Sequence, residues 1–374
     1  MISTAYARRR NVRYIGLLIL IALAMGGWSW LWFFAAGKAQ QTIEGWRARE
    51  EKSGHVYTCG SESIGGFPFR IEVACDGAAA LFRTSQPPLE LKATSILVAA
   101  QIYDPTLLIS EFHGPLTVAD PGKAPDLVVN WKLAQASVRG TPASPERASL
   151  AVDRPVVDRM DGANAKHLLQ ARRIELHGRI LEGSAADHPV IESVLRLEQA
   201  SMPIVHPAAE RPIDADITWV LRGLNDFAPK PWQARMRELQ ASGGRIDITQ
   251  ARLQQGETLA VGAGTLSLNV NGRLDGQIKV TVAGLEAFLD AIGAPQMVQN
   301  SPAMDKISGA LDRLMPGLGN VARQTASNNI GAGINMLGEQ TTLEGRRAVS
   351  LPLRFDNGAV FLGPIPIGNT PTLF

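Results

Sequence analysis

Residues 213–222 read Ile-Asp-Ala-Asp-Ile-Thr-Trp-Val-Leu-Arg. Ile213, Ala215, Ile217, Trp219 and Leu221 stand at alternate positions, with Asp214, Asp216, Thr218 and Arg222 among the residues between them. Successive side chains of an extended chain point to opposite faces, so this is a strand with one apolar and one polar side. Such alternation belongs to antiparallel sheets that face water on one side. The pattern recurs on both sides of this stretch. Phe67, Phe69, Ile71, Val73 and Cys75 share one face, against Arg70, Glu72 and Asp76. Leu127, Val129, Trp131 and Leu133 repeat the period, and so do Ile174, Leu176 and Ile180, and Val349, Leu351, Leu353 and Phe355. The expected fold is mainly β: a large curved antiparallel sheet or groove with a few helices.

One hairpin can be read to its register. Leu266, Leu268 and Val270 precede Asp275-Gly276, and Ile278, Val280 and Val282 follow. A three-residue loop, 274–276, would pair Val270 with Val280 and Leu268 with Val282, with Gly276 in the left-handed position. Helical spacing is confined to Pro231 through about Gln240, to Leu285, Phe288, Leu289 and Ile292, and to Met304, Ile307, Leu311 and Leu314. Asp120 to Pro125 reads as a turn, and no domain boundary is evident.

The first 53 residues have another character. From Tyr14 to Gly37 no residue is charged, and Arg13 and Lys38 bound the stretch. As a helix it is about 36 Å long, against a hydrocarbon thickness of about 30 Å. Trp28, Trp30, Trp32, Phe33 and Phe34 crowd its distal half, where amphipathic rings prefer the headgroup boundary. The apolar core of a cleaved signal runs about 7–15 residues, so a retained anchor is the expected reading. Arg8, Arg9, Arg10 and Arg13 put the short tail in the cytoplasm by the positive-inside rule. The expected order is a cytoplasmic tail (1–13), a transmembrane helix (14–37), a membrane-proximal helical linker (38–53) and a periplasmic β-rich domain (54–374). The protein is then a single-pass inner-membrane protein, N-in.

Composition narrows the function. The 374 residues are 45% hydrophobic and 19% charged, enough apolar content for a sizeable core. Setting aside the four N-terminal arginines leaves 33 basic against 35 acidic residues, so the body lacks the charge that phosphate backbones require. Cys59 and Cys75 are the only cysteines. In an oxidising compartment they read as one disulfide, the alternative being two unrelated buried thiols. A tight Gly65-Gly66 turn would set Cys59 opposite Glu72, so the bridge requires a wider loop near Phe67 or a bulge.

The six histidines are His55, His113, His167, His177, His188 and His206. None has the spacing of a zinc-hydrolase pair, and there is no nucleophile elbow or phosphate loop. Gly317 to Ala322 imitates a dinucleotide glycine run but follows helix and proline rather than a strand. Asp214 and Asp216 share a sheet face and form the best paired-carboxylate candidate, although they also read as the water side of their strand. No catalytic residue, metal or cofactor is expected.

The segment Gly66-Phe67-Pro68-Phe69-Arg70, placed soon after an exported helix, resembles a family of bacterial membrane-anchored proteins known only as a domain of unknown function. The ending Gly363-Pro-Ile-Pro-Ile-Gly368 is similar to that family's ending. The resemblance implies no reaction and no catalytic residues. More distantly, the same strand motif and the 266–282 hairpin resemble AsmA-type envelope proteins. That likeness implies an anchored β groove concerned with lipid. The expected function is therefore non-enzymatic: binding or guiding an apolar envelope molecule such as lipid, in a groove lined by Ile71, Val73, Val129, Ile217 and Val270. The alternative is an assembly scaffold for another envelope protein, and a hydrolase with an unseen site comes third. The membrane, and no nucleic acid, is the expected partner.

Overall fold

In the computed structural model, residues 3–374 are described apart from 142–143, 163, 205–206, 229, most of 292–337, and 364. Met304, Ile307, Leu311 and Leu314 of the expected helix, and the 317–322 glycine run apart from Asn320, lie outside the described residues, as do Ile292 and His206. Every strand pair with a defined register is antiparallel, as the alternation predicts. The chain packs as two compact units, residues 1–127 with 137–141, and residues 128–136 with 142–374.

The first unit begins with α1 (Ser3–Lys52), so the apolar span and the expected linker form one continuous helix. Strands β1 (His55–Thr58) and β2 (Ser61–Gly65) both pair with β3 (Arg70–Phe82), which pairs with β4 (Leu89–Gln101), which pairs with β5 (Asp104–Ala119). The apolar residues switch parity along these strands. In β3 they pass from Ile71, Val73 and Cys75 to Ala78, Ala80 and Phe82 across Gly77, whose φ is +61°. In β4 they pass from Leu89, Leu91 and Ala93 to Ile96, Val98 and Ala100 across Thr94. An extra residue in a strand restores the same side after a change of parity. The helix verifies this: Arg47 reaches Glu62, opposite Cys75, and Trp46 stacks on Tyr57, opposite Ala80. Both apolar sets therefore face α1.

The β2–β3 ladder pairs Ser61 with Asp76 and Gly65 with Glu72, which centres the turn between Pro68 and Phe69. Cys59 and Gly60 interrupt the strand between β1 and β2, and Cys59 bridges to Cys75 with the Cα atoms 5.4 Å apart. The sheet starts at Arg70, so Phe67 and Phe69 belong to the turn and not to the strand face that their alternation suggests.

Two short strands follow, β6 (Leu127–Asn130) and β7 (Leu133–Arg139). The second unit is built on β8 (Arg147–Asp153), β9 (Val156–Asp161), β10 (Asn164–Gln170), β11 (Arg173–Ser184), β12 (Asp187–Ala200), β13 (Ile213–Arg222), β14 (Arg245–Gln255), β15 (Thr258–Leu268) and β16 (Leu274–Ala283). β17 (Glu339–Leu343), β18 (Arg346–Asp356), β19 (Ala359–Leu362) and β20 (Ile365–Asn369) complete it. β9 and β10 form a hairpin. The main ladder runs β8–β11–β12–β13–β14–β15–β16–β18–β19–β20, with β17 on the same edge of β18 as β19. Among the described residues its two ends do not pair, so the ladder is open.

Two helices pack on this ladder. α2 (Trp232–Ala241) starts after Pro231, where a fixed φ and a missing N–H cost a helix nothing. It buries Met236 and Leu239 with Leu224. α3 (Leu285–Ala291) lays Leu285 and Leu289, four apart on one helix face, onto Val282, Val349 and Leu351.

The β15–β16 register differs from the sequence expectation. Leu268 pairs with Leu274 and Leu266 with Gly276, so the loop is 269–273, with Val270-Asn271 at the centre of the turn and Gly272 left-handed at φ +67°. Asn269 closes it, its side chain accepting from the backbone N–H groups of Asn271 and Arg273 at 2.9 and 3.0 Å. Val270 stands at the tip, 77% exposed, and lines no sheet face.

Candidate functional site

In the second unit the ladder aligns apolar side chains into continuous rows across neighbouring strands. Leu150, Leu176, Leu195, Ile217, Ala251, Gly262, Val280 and Leu351 are successive cross-strand partners. Val152, Ile174, Leu197, Ala215, Leu253, Ala260, Val282 and Val349 form a second row on the same face. The β14 bulge near Thr249 lets Ile248 and Ala251 share that face despite opposite parity.

The cover over this face is uneven. α3 seals the rows over β16 and β18, where Val282, Val349 and Leu351 are buried. α2 and the C-terminal Leu373 and Phe374 close a corner at Ile191, Leu221 and Leu268. Toward β8 the same rows open: Leu150, Leu176 and Leu253 are 38%, 41% and 39% exposed, and Leu195 and Ile217 are half-buried. Isolated exposed leucines need no explanation, but a contiguous apolar area on a sheet does.

On β8 and β11–β13 the opposite face is ionic, whereas on β15, β16 and β18 it buries Leu259, Ala283 and Ala348. Arg173 donates to Asp153 at 2.5 Å and to Glu175 at 2.6 Å, and Arg196 reaches Asp216 at 3.1 Å. The Arg173 guanidinium, against the cost of partial burial, holds the Glu175 carboxyl below its usual range. Asp216 is therefore an ion-pair partner, and Asp214 accepts from the Gln199 backbone N–H at 2.8 Å. The two aspartates have separate structural partners on the water side of the strand. His55, His113, His167, His177 and His188 each lie beside a single carboxylate. Among the described residues no group of three or more His, Cys, Asp or Glu could hold a metal ion. A shallow charged cleft of about 360 Å³ lies between Lys132, Asp153, Arg154, Arg172, Arg173 and Glu198.

The five residues expected to line a groove do not form one set. Ile71 and Val73 lie half-buried on β3 in the first unit, Val129 on β6 and Ile217 on β13 in the second, and Val270 is in a turn. Leu150 and Leu195, in the row of Ile217, and Leu253, in the row next to it, carry no such signal in the sequence. Their signal is cross-strand register, which only pairing reveals.

In the first unit the Gly66–Arg70 turn rests on the anchor helix. The Trp28 indole N–H donates to the Pro68 carbonyl and that of Trp32 to the Arg70 carbonyl, each at 2.8 Å. Phe67 packs edge-on to Trp32 and stacks on Phe33, while Phe69 meets Trp28. Gly66 has φ +93°, and a Cβ there would meet the Arg70 carbonyl oxygen at 2.7 Å. Only glycine makes this turn without strain.

The fold and these surfaces define a class: an open antiparallel β protein carried by one N-terminal helix long and apolar enough to span a membrane. The chain belongs to DUF2125, a family described as an uncharacterized protein conserved in bacteria, whose model matches residues 32–371. Among curated proteins nothing matches it.

Proposed function

We propose that this chain is a single-pass inner-membrane protein whose periplasmic β region binds or guides an apolar envelope molecule, with lipid the class that fits best. The observation that carries the reading is the open part of the apolar face, from Leu150 through Leu176 and Leu195 to Ile217 and Leu253. A sheet face of this kind is covered by another layer or by a ligand. The described helices cover only its β16–β18 side and one corner. A membrane anchor on the same chain keeps such a face in the envelope, and the AsmA-like resemblance points the same way. The N-terminal arginines supply the orientation, with the β region outside the cytoplasm. The role is non-enzymatic in this reading.

A photoreactive amino acid at Leu176, with Gln250 on the polar face as the control position, tests the proposal in cells. Crosslinks to lipid at 176 and not at 250 are expected. Crosslinks at 176 to one protein instead would replace cargo binding with the scaffold reading.

A further inference from the structure

The Gly66–Arg70 turn stands out for what surrounds it. Phe67 and Phe69 are 53% and 64% exposed although both touch the anchor helix. Beside them Tyr103, at the tip of the β4–β5 connection, is 72% exposed. The Ile102 N–H donates to the Phe69 carbonyl at 3.1 Å, so the two connections are neighbours at one end of the sheet.

The level of this end is set by the helix. At 1.5 Å per residue, about 20 residues cross the hydrocarbon, so a span that begins after Arg13 leaves it near Phe33. Trp28 and Trp32 lie just inside that limit, and they hold Pro68 and Arg70 by direct hydrogen bonds. The turn is thus fixed to the part of the helix that meets the outer acyl–headgroup boundary.

Four carbonyls of the turn have partners inside the protein. The Gly66 carbonyl accepts from Arg70, that of Pro68 from Trp28, that of Phe69 from Ile102 and that of Arg70 from Trp32. In water these carbonyls would need no such partners, whereas in lipid an unsatisfied carbonyl has no water to bond. The Arg70 guanidinium bends back to Glu72 at 2.7 Å and leaves the tip to aromatic rings and proline.

We propose that Phe67, Pro68, Phe69 and Tyr103 form a wedge inserted into the bilayer that α1 spans, at its outer acyl–headgroup boundary. The wedge rests on the anchor reading and adds a second attachment, which fixes the first unit's sheet on end against the lipid surface.

Spin labels on the full-length protein in phosphatidylethanolamine–phosphatidylglycerol vesicles test this. Labels go at Phe69→Cys and Tyr103→Cys, with Leu18→Cys in the span and Asp120→Cys at the other end of the sheet. Cys59 and Cys75 are bridged and do not react. Labels at 69 and 103 are expected to collide with oxygen several-fold more, relative to a water-soluble nickel chelate, than the label at 120. The wedge is overturned if 69 and 103 match 120 while 18 remains inside the bilayer. Protection of 69 and 103 from both reagents also overturns it, because a protein then covers the tip. Exposure of 18 to the nickel chelate removes the anchor, and the wedge with it. Tyr103→Cys stands at a turn tip away from the Trp28 and Trp32 contacts, so the test survives a disturbance at 69.

Discussion

Cys59 bridges to Cys75 where the chain passes from β1 to β2, beside the turn that carries Phe67 and Phe69. Cys59 and Cys75 are legible as a pair because no other cysteine competes, and the need for a loop wider than Gly65-Gly66 follows from counting alone. The place of Phe67 and Phe69 is not legible that way, because the alternation 67-69-71-73-75 continues smoothly through the turn. Gly66 in its left-handed conformation and the Trp28 and Trp32 donors break the pattern, and these are tertiary facts. At this scale the bridge makes a measurable contribution. It closes a loop with a sequence separation of 16, for which chain entropy gives roughly 3 kcal/mol. Cys75→Ser should lower the melting temperature of the first unit by that equivalent while leaving the far-UV spectrum at low temperature unchanged. Reduction of the wild type should produce the same shift, and an unaltered melt would dismiss the contribution.

Among the elements, the β15–β16 hairpin shows where periodicity stops being informative. Asn271-Gly272 and Asp275-Gly276 are both good turn sequences, and both registers put Val280 and Val282 on the same face. Parity cannot choose between them. Close approach does: a Cβ on Gly264 would meet the Gln277 carbonyl oxygen at 2.1 Å, and one on Gly276 that of Thr265 at 2.2 Å. Gly264→Ala should therefore destabilise the second unit by about 1–3 kcal/mol. Val270→Asp, at the turn tip, should stay within about 0.5 kcal/mol of wild type. Chemical denaturation of the two variants checks both. A costly change at 270 with a neutral one at 264 would favour the register with the loop at 274–276.

The helix α2 supplies a pH-dependent element. Lys230 holds the Glu238 carboxyl below its usual range, aided by the Asn225 backbone N–H and by Arg235, and Lys230 likewise depresses Asp226. A carboxylate depressed by folding stabilises above its unfolded pKa and loses that contribution as pH falls through the folded value. The attachment of α2 should hold at neutral pH and weaken below about pH 4. Hydrogen exchange of residues 232–241 should accelerate in that range before the β14–β15 ladder does, and Glu238→Gln should reduce the pH dependence to the part that Asp226 carries. Equal acceleration in the variant would show that these ion pairs do not hold the helix.

For the molecule as a whole, the strands were readable one at a time, and their β class followed from Ile213–Arg222 and its counterparts. The division into two units and the alignment of apolar residues into rows were not, because both depend on which strands pair. Leu176 is unremarkable on its own strand and becomes significant when Leu150 and Leu195 stand on either side of it. In the proposed function this open stretch carries lipid. The direct measurement is mass spectrometry of lipid retained by the full-length protein after gentle extraction, compared with Leu176→Glu purified identically and shown to be folded. Wild type should retain lipid in near-stoichiometric amount, and the variant should lose most of it. Equal retention by both, or none by the wild type, would contradict the account.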